Sequence, residues 1–293
     1  METTVKGLNS KVLHRTFVDA WTDFPKNIKR PKDFDSFKKE IKGKKILRVW
    51  RRAKNVIIEL SDNYSLLVHQ KMTGHLLVGN WTQENGNFKP EGKGPLQDPQ
   101  NRFIHLVFWL DDGRMIALSD LRKFAKVELW KTEELLNSKE FKKIGPEPLE
   151  KDFTFEKFKE RLTGPPSPKA TARRGKIKQI LMKPEIIAGI GNIYSSEALW
   201  KAEIHPERDV SKLNIKELEE LYEAIKKVLM LGIKLGGESF SDYRNVEGKK
   251  GEFDTERKVY QREDEKCSRC GAKIKRIKIG QRSAFFCPAC QKL

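Results

Sequence analysis

Cys267-x2-Cys270 and Cys287-x2-Cys290, sixteen residues apart, are the only cysteines in the 293-residue chain. Each pair, set on a tight turn, can fill half of a tetrahedral zinc shell. No His, Asp or Glu fills a ligand position between them, so the pattern predicts a closed structural site holding one Zn2+. Lys273, Lys275, Arg276, Lys278 and Arg282 lie between the pairs without one acid, which suits a metal-held hairpin facing phosphates. A second basic stretch holds Arg161, Lys169, Arg173, Arg174, Lys176, Lys178 and Lys183, again with no intervening acid, and reads as a phosphate-facing surface. Two nucleotide motifs fail. Gly189-Ile190-Gly191-Asn192-Ile193-Tyr194 begins like a dinucleotide fingerprint, but Tyr194 stands at the third Gly and no strand-like segment precedes it. Around Gly86, Gly92 and Lys93 the P-loop spacing is wrong, and Gly94 follows where Ser or Thr is needed.

The elements that position these groups divide at Trp130. Before it, Ile46 to Trp50, Val56 to Leu60, Leu66 to Val68, Leu76 to Val78 and Ile104 to Leu110 are short apolar runs separated by turn signals, which predicts a β-rich domain. Ser61-Asp62-Asn63 and Asp111-Asp112-Gly113 join hairpin arms, the second leading into Met115 to Leu118. Val5, Leu8, Val12 and Leu13 predict an opening helix, whereas residues 79 to 102, rich in Gly, Pro and Asn, read as a long exposed loop. Beyond Trp130, segments 132 to 142 and 153 to 162 look helical. A longer helix opens at Asn214, with Glu217 three residues on, and closes at Gly236-Gly237.

Lys plus Arg is 59 against 41 Asp plus Glu, a net charge of +18, and the pI is near 9.6, so a polyanionic partner is expected. A hydrophobic content of 38% argues against disorder. No apolar run reaches the roughly 18 residues of a membrane span, and the first 25 residues lack a signal-peptide core. The expectation is a cytoplasmic, nucleoid-associated protein.

Several motifs together resemble the formamidopyrimidine-DNA glycosylase family. They are Gly145-Pro146-Glu147-Pro148-Leu149, Ile187-Ala188-Gly189-Ile190-Gly191-Asn192-Ile193-Tyr194, Ile204-His205-Pro206, and Gly280-Gln281-Arg282 through Cys287-Pro288-x-Cys290-Gln291. In the β-rich half, Arg51-Arg52-Ala53-Lys54, His69-x-x-Met72-Thr73-Gly74 and Asp120-x-Arg122-x-Phe124 match in order and approximate spacing, so the likeness runs through the chain. The resemblance implies an α+β multidomain protein: an N-terminal β-sandwich with an opening helix (1–131), a linker (132–152), a helix-two-turns-helix domain (153–250) and a C-terminal zinc-finger β-hairpin (258–293). Damaged double-stranded DNA would bind across the cleft between them, the protein acting as a monomer without a membrane or a small-molecule cofactor. A damaged purine must be flipped out of the duplex and its space filled. The family does this with residues matching Met72, Arg122 and Phe124, whose thioether, guanidinium and ring suit wedging, pairing with the orphan base and stacking. Asn192 matches the residue that holds a phosphate with backbone amides. His69, Arg173, Lys178 and Tyr260 match further phosphate or lesion contacts, and Lys54 and Arg282 match groups for proton transfer and for the phosphates beside the lesion.

The chain departs from the family at its first residues. Family members begin Pro-Glu-Leu-Pro-Glu-Val-Glu-Thr after loss of the initiator Met, whereas this chain begins Met1-Glu2-Thr3-Thr4, about six residues short. The family's proline is a secondary amine, with a pKa of about 8, that attacks C1′ to give an iminium. Two functional readings follow: a glycosylase with apurinic/apyrimidinic lyase activity on oxidised purines, or a damaged-DNA-binding protein lacking the nucleophile. A third is a zinc-ribbon RNA-binding protein. Leu121 and Ala125 flank the Arg122 motif where the family has Pro and Gly, Ser241 stands where Lys or Arg is common, and Phe103 replaces a DNA-contacting His. These differences bear on lesion preference.

Overall fold

The computed structural model describes residues 1–164, 174–238 and 242–293. The chain forms two units, Met1–Lys142 with Leu235–Asp254, and Lys143–Lys234 with Thr255–Leu293.

The first unit contains α1 (Glu2–Val12), β1 (Phe17–Thr22), β2 (Ile28–Arg30), α2 (Phe34–Ile41), β3 (Ile46–Arg52), β4 (Asn55–Leu60), β5 (Tyr64–His69), β6 (His75–Gly79), β7 (Trp81–Glu84), β8 (Asn87–Pro90), β9 (Ile104–Leu110), β10 (Met115–Ser119), β11 (Lys126–Lys131), α3 (Thr132–Asn137) and α4 (Lys139–Lys142). Two sheets, ordered β1-β9-β10-β6 and β2-β11-β5-β4-β3, share one apolar core that includes Leu8, Phe17, Phe37, Ile58, Leu66, Phe108, Leu118 and Val127. Alternating apolar positions turn one face of each sheet inward, as in a sandwich. The opening helix buries Val5, Leu8 and Val12, the predicted stripe. Both predicted hairpins form. In the first, Asp62 and Asn63 take φ of +59° and +60°, a conformation that short polar side chains tolerate.

Three expectations change here. The segment 79–102 is not a bare loop: β7 pairs with β8, two 3-10 turns follow, and Trp81 and Phe88 are buried with Leu77, Val107 and Ala117 on the outer face of the four-stranded sheet. Only a few of its side chains turn inward, so the cover left no periodicity in the sequence. Residues 132–142, expected in a linker, place Leu135 and Phe141 against Ile57, Leu67, Trp50 and Trp130. Residues 235–250, expected in the helical domain, return to the first unit. Val246 sits in the sandwich core, its carbonyl accepts from Val78 N at 2.7 Å, and Arg244 grips Asp98 through Nε (2.9 Å) and Nη2 (3.1 Å).

The second unit holds α5 (Phe155–Thr163), α6 (Ile177–Leu181), α7 (Asn192–Lys201) and α8 (Ile215–Lys234); after the one-turn α9 (Phe253–Glu256) come the finger strands β12 (Lys275–Ile279) and β13 (Arg282–Phe286). Phe158, Leu162, Ile180, Leu199, Leu218 and Leu221 belong to its core. The predicted capping box is reciprocal: Glu217 N donates to Asn214 Oδ1 and Asn214 N to Glu217 Oε2, both at 2.9 Å. The helix stops at Gly236 and Gly237, whose φ of +74° and +99° suit glycine. Among the described residues, no helix is long and apolar enough to cross a membrane.

Candidate nucleic-acid interface

In the first unit the predicted residues gather at strand ends. Lys54 is exposed on the Ala53-Lys54 turn between β3 and β4, and Asn55, next to it, lies opposite His69 in the β4–β5 ladder. His69 Nδ1 accepts from Lys71 N at 2.9 Å, which leaves the proton of a neutral ring on Nε2. Burial first, then the charges of Lys71 and Lys54, push its pKa down to about 4. At neutral pH His69 is thus an uncharged donor rather than a cation. Because the unfolded chain binds this proton below a pH of about 6.5 and the folded chain does not until about 4, His69's contribution to stability is complete above that window and is lost as pH falls through it. An NMR titration of the ring is expected to show a midpoint near 4. A midpoint at the ordinary histidine value would refute the buried, neutral assignment.

Met72 and Phe124 are 61% and 53% exposed, unusual for large apolar side chains. They lie on different loops, β5–β6 and β10–β11, yet Arg122 joins them: its Nη1 donates to Met72 Sδ at 3.4 Å, and its guanidinium carbon stands 4.7 Å from the Phe124 ring centre. Beneath them Asp120, with no exposed surface, accepts from Thr73 Oγ1 through one carboxylate oxygen and from Ala125 N at 2.7 Å through the other. Thr73 Oγ1 accepts in turn from Arg122 N at 3.1 Å. A Cβ on Gly74 would fall 2.5 Å from the Gln70 carbonyl, so the turn behind Met72 requires glycine. The structure therefore brings Met72, Arg122 and Phe124 together.

In the second unit Gly191, not Asn192, is the N-cap of α7, and as a glycine it supplies no side-chain cap. Asn192 is the first helical residue, at the end of α7 whose dipole and N–H groups favour an anion. The Asn192 carboxamide Nδ2 lies 3.5 Å from Tyr260 Oη. Tyr260 is placed by Glu197, a buried carboxylate of α7 that accepts from the backbone N–H groups of Lys258 (2.8 Å), Val259 (3.1 Å) and Tyr260 (2.8 Å). Lys178 is not where a direct phosphate contact would put it. It has no exposed surface, and its Nζ donates to Asn192 O (3.0 Å), Ser195 Oγ (3.1 Å) and Ser196 Oγ (2.7 Å). Burial holds its pKa down at about 7, opposed by Glu197. Its ammonium acts on the start of α7. Of the same basic stretch, Lys176 pairs with Glu207, and Arg173 and Lys169 lie outside the described residues. So does Ser241.

The four cysteine sulfurs lie within 4.8 Å of one another. A tetrahedron with Zn–S of about 2.3 Å has edges of about 3.8 Å, so shifts of about 1 Å or less would let the set hold one zinc ion. Arg282 is exposed at the start of β13, just past the Gly280-Gln281 turn, and Gly280 at φ +60° lies against the Gln179 side chain of α6. Gln291 fixes the second knuckle: its Oε1 accepts from Cys287 N and its Nε2 donates to Ile204 O, both at 2.8 Å. Asp120, Glu197 and Gln291 escaped the sequence reading. Each stands inside or beside a quoted motif, but only burial reveals its work.

Comparisons with known proteins agree along the chain. Residues 1–127 match the family model for the formamidopyrimidine-DNA glycosylase N-terminal domain, 144–244 that for its H2TH domain, and 264–293 that for the zinc finger found in FPG and IleRS. The formamidopyrimidine-DNA glycosylase of Pelotomaculum thermopropionicum is 36% identical over 293 residues, covering 100% of this chain and 98% of its own. The solved complex of Lactococcus lactis Fpg with abasic-site DNA superposes with a TM-score of 0.83 at 33% identity, over 100% of this chain and 98% of that one. A complex of MutM with DNA containing carbocyclic 8-oxo-G gives 0.82 at 33% identity with the same coverage.

Proposed function

Because the chain belongs to the formamidopyrimidine-DNA glycosylase family, we propose that it removes oxidised purines of the formamidopyrimidine and 8-oxoguanine class from duplex DNA and cleaves the strand at the abasic site left behind. The observation that supports this reading best is the exposed trio of Met72, Arg122 and Phe124 held over the buried Asp120. A flipped purine leaves a void that a thioether can enter, an unpaired base that a guanidinium can address, and an opened stack that a ring can cover. The N-terminus of α7, with Asn192 and Tyr260 beside it, is suited to a backbone phosphate. Lys54 is assigned to proton transfer near the sugar, His69 to a neutral hydrogen-bond contact, and Arg282 to phosphates beside the lesion; Arg173 is kept as a further DNA contact. Lys178 acts through the α7 entrance. The zinc ion is structural and shapes the hairpin that carries Arg282. The monomeric state, the lack of a small-molecule cofactor and the cytoplasmic, nucleoid location belong to this proposal and rest on the family resemblance.

Single-turnover incubation with an 8-oxoguanine duplex should release the base and cut the strand. Undiminished lesion binding with neither product would favour the damage-binder reading, which the relatives named as glycosylases do not. The lyase step requires an amine to bond to C1′ as the base departs. Borohydride trapping, with and without Pro-Glu-Leu-Pro-Glu preceding the chain, identifies that amine: trapping only with the extension assigns it to proline. Equal trapping assigns it to a lysine common to both forms, and trapping only without the extension assigns it to the Met1 α-amine, which the extension converts to an amide and whose pKa is held down to about 6 by burial and then by Arg51.

Met72→Ala and Phe124→Ala remove void filling without removing charge. Each should weaken lesion-duplex binding by about 1–3 kcal/mol, read by anisotropy, and leave undamaged-duplex binding unchanged. Equal losses on both duplexes would refute the role.

A further inference from the structure

The C-terminal turn of α7 touches the zinc site. Trp200 Nε1–H donates to Cys267 Sγ at 3.5 Å, and the backbone N–H of Arg269 donates to the same sulfur at 3.5 Å. Cys267 is buried, and the indole packs against the finger's apolar cluster of Val259, Ile274, Phe285 and the two buried cysteines. The indole is itself held. The Arg269 guanidinium carbon lies 4.4 Å from its ring centre, Arg269 Nη1 donates to Trp200 O at 3.3 Å and pairs with Glu203 at 3.0 Å, and Nη2 reaches Lys201 O at 3.5 Å. Arg269 thus adds to the backbone N–H donors already on the Trp200 carbonyl and reaches the Lys201 carbonyl, while its stack fixes the plane from which the indole N–H points.

We propose that Trp200 is a positioning residue for the metal: its indole N–H holds the Cys267 thiolate in place and slows the loss of zinc. A zinc-bound thiolate keeps much of its negative charge, and a hydrogen bond to the sulfur holds it in its ligand position. Outer partners of this kind change metal affinity by about 10–100-fold. The bond also makes the helix that begins at Asn192 end on a zinc ligand.

Trp200→Phe keeps a ring under Arg269 and removes the N–H with part of the indole's bulk, so scalar coupling to a bound metal separates the bond from packing; Trp200→Ala removes the ring as well. The proposal rests on the cluster holding zinc, so metal content is measured first, which tells an empty finger from a loaded one lacking this bond. In the full-length protein, transfer of zinc to a chromogenic chelator should be about tenfold faster for Trp200→Phe, with Trp200→Ala adding little. In native protein loaded with 113Cd, the Trp200 indole proton should show a scalar coupling to the metal through the sulfur, a signal that packing alone does not produce and that needs no variant. Native release kinetics in Trp200→Phe with acceleration confined to Trp200→Ala, or an indole proton without coupling to cadmium, overturns the proposal.

Discussion

Cys287→Ser is expected to release about one zinc per chain and to weaken binding to an abasic-site duplex by at least about 100-fold, while the sandwich unit stays folded. The finger's own core is small: Val259, Ile274 and Phe285 cluster with Cys267 and Cys287, and Ile279, Ala284 and Phe286 are buried too, still too few to offset the ordering of the finger without metal. Zinc coordination supplies the difference, about 10–16 kcal/mol in isolated fingers. Loss of the metal should also release Gln291 from Cys287 N and Ile204 O, and with it the hairpin that presents Arg282. The sandwich has a separate core in Leu8, Phe17, Phe108 and their neighbours, so its unfolding transition should survive. Colorimetric zinc release, duplex anisotropy and urea unfolding read the three effects. Unchanged zinc content would refute the ligand assignment, and loss of the sandwich transition would show that the metal supports more than the finger.

The parts of this architecture that could be read in the sequence are those fixed by near neighbours. The two CxxC turns, the Asn214–Glu217 box, the Asp62-Asn63 and Gly113 turns and the stripe of α1 each depend on residues a few positions apart, and each formed as expected. What escaped depends on distant partners. Lys178 sits in a stretch that reads as a phosphate-facing surface, but Ile177, Ile180 and Leu181 draw α6 into the core, and three oxygens from α7 accept its ammonium. Arg244 and Val246 carry no mark of the first unit; Asp98 and Val78, more than 140 residues earlier, decide it. The motifs named Met72, Arg122 and Phe124 by family likeness, and no local pattern could show that one carboxylate ties their loops together.

That tie gives the second large effect: Asp120→Ala should cost about 3 kcal/mol in stability and reduce lesion-duplex binding by about 100-fold under conditions where the chain remains folded. Alanine strips the acceptor from two buried donors, the Thr73 hydroxyl and Ala125 N–H, and an unmet buried donor costs about 1–3 kcal/mol. It also frees the two loops that hold Met72 and Arg122 within reach of one another. Asp120→Asn should be much milder, at about 1 kcal/mol. Its carbonyl oxygen can still accept from Ala125 N–H, and the hydroxyl of Thr73 can rotate to accept from the new NH2 group, although that oxygen already accepts from Arg122 N. Urea unfolding measures the stability terms, and fluorescence of 2-aminopurine placed opposite the lesion reports whether the orphan base is still held. If Ala and Asn prove equal in both assays, the carboxylate is not the clamp, and the exposed trio must be held by the backbone turns at Lys71 and Lys123, each at φ +57°, instead.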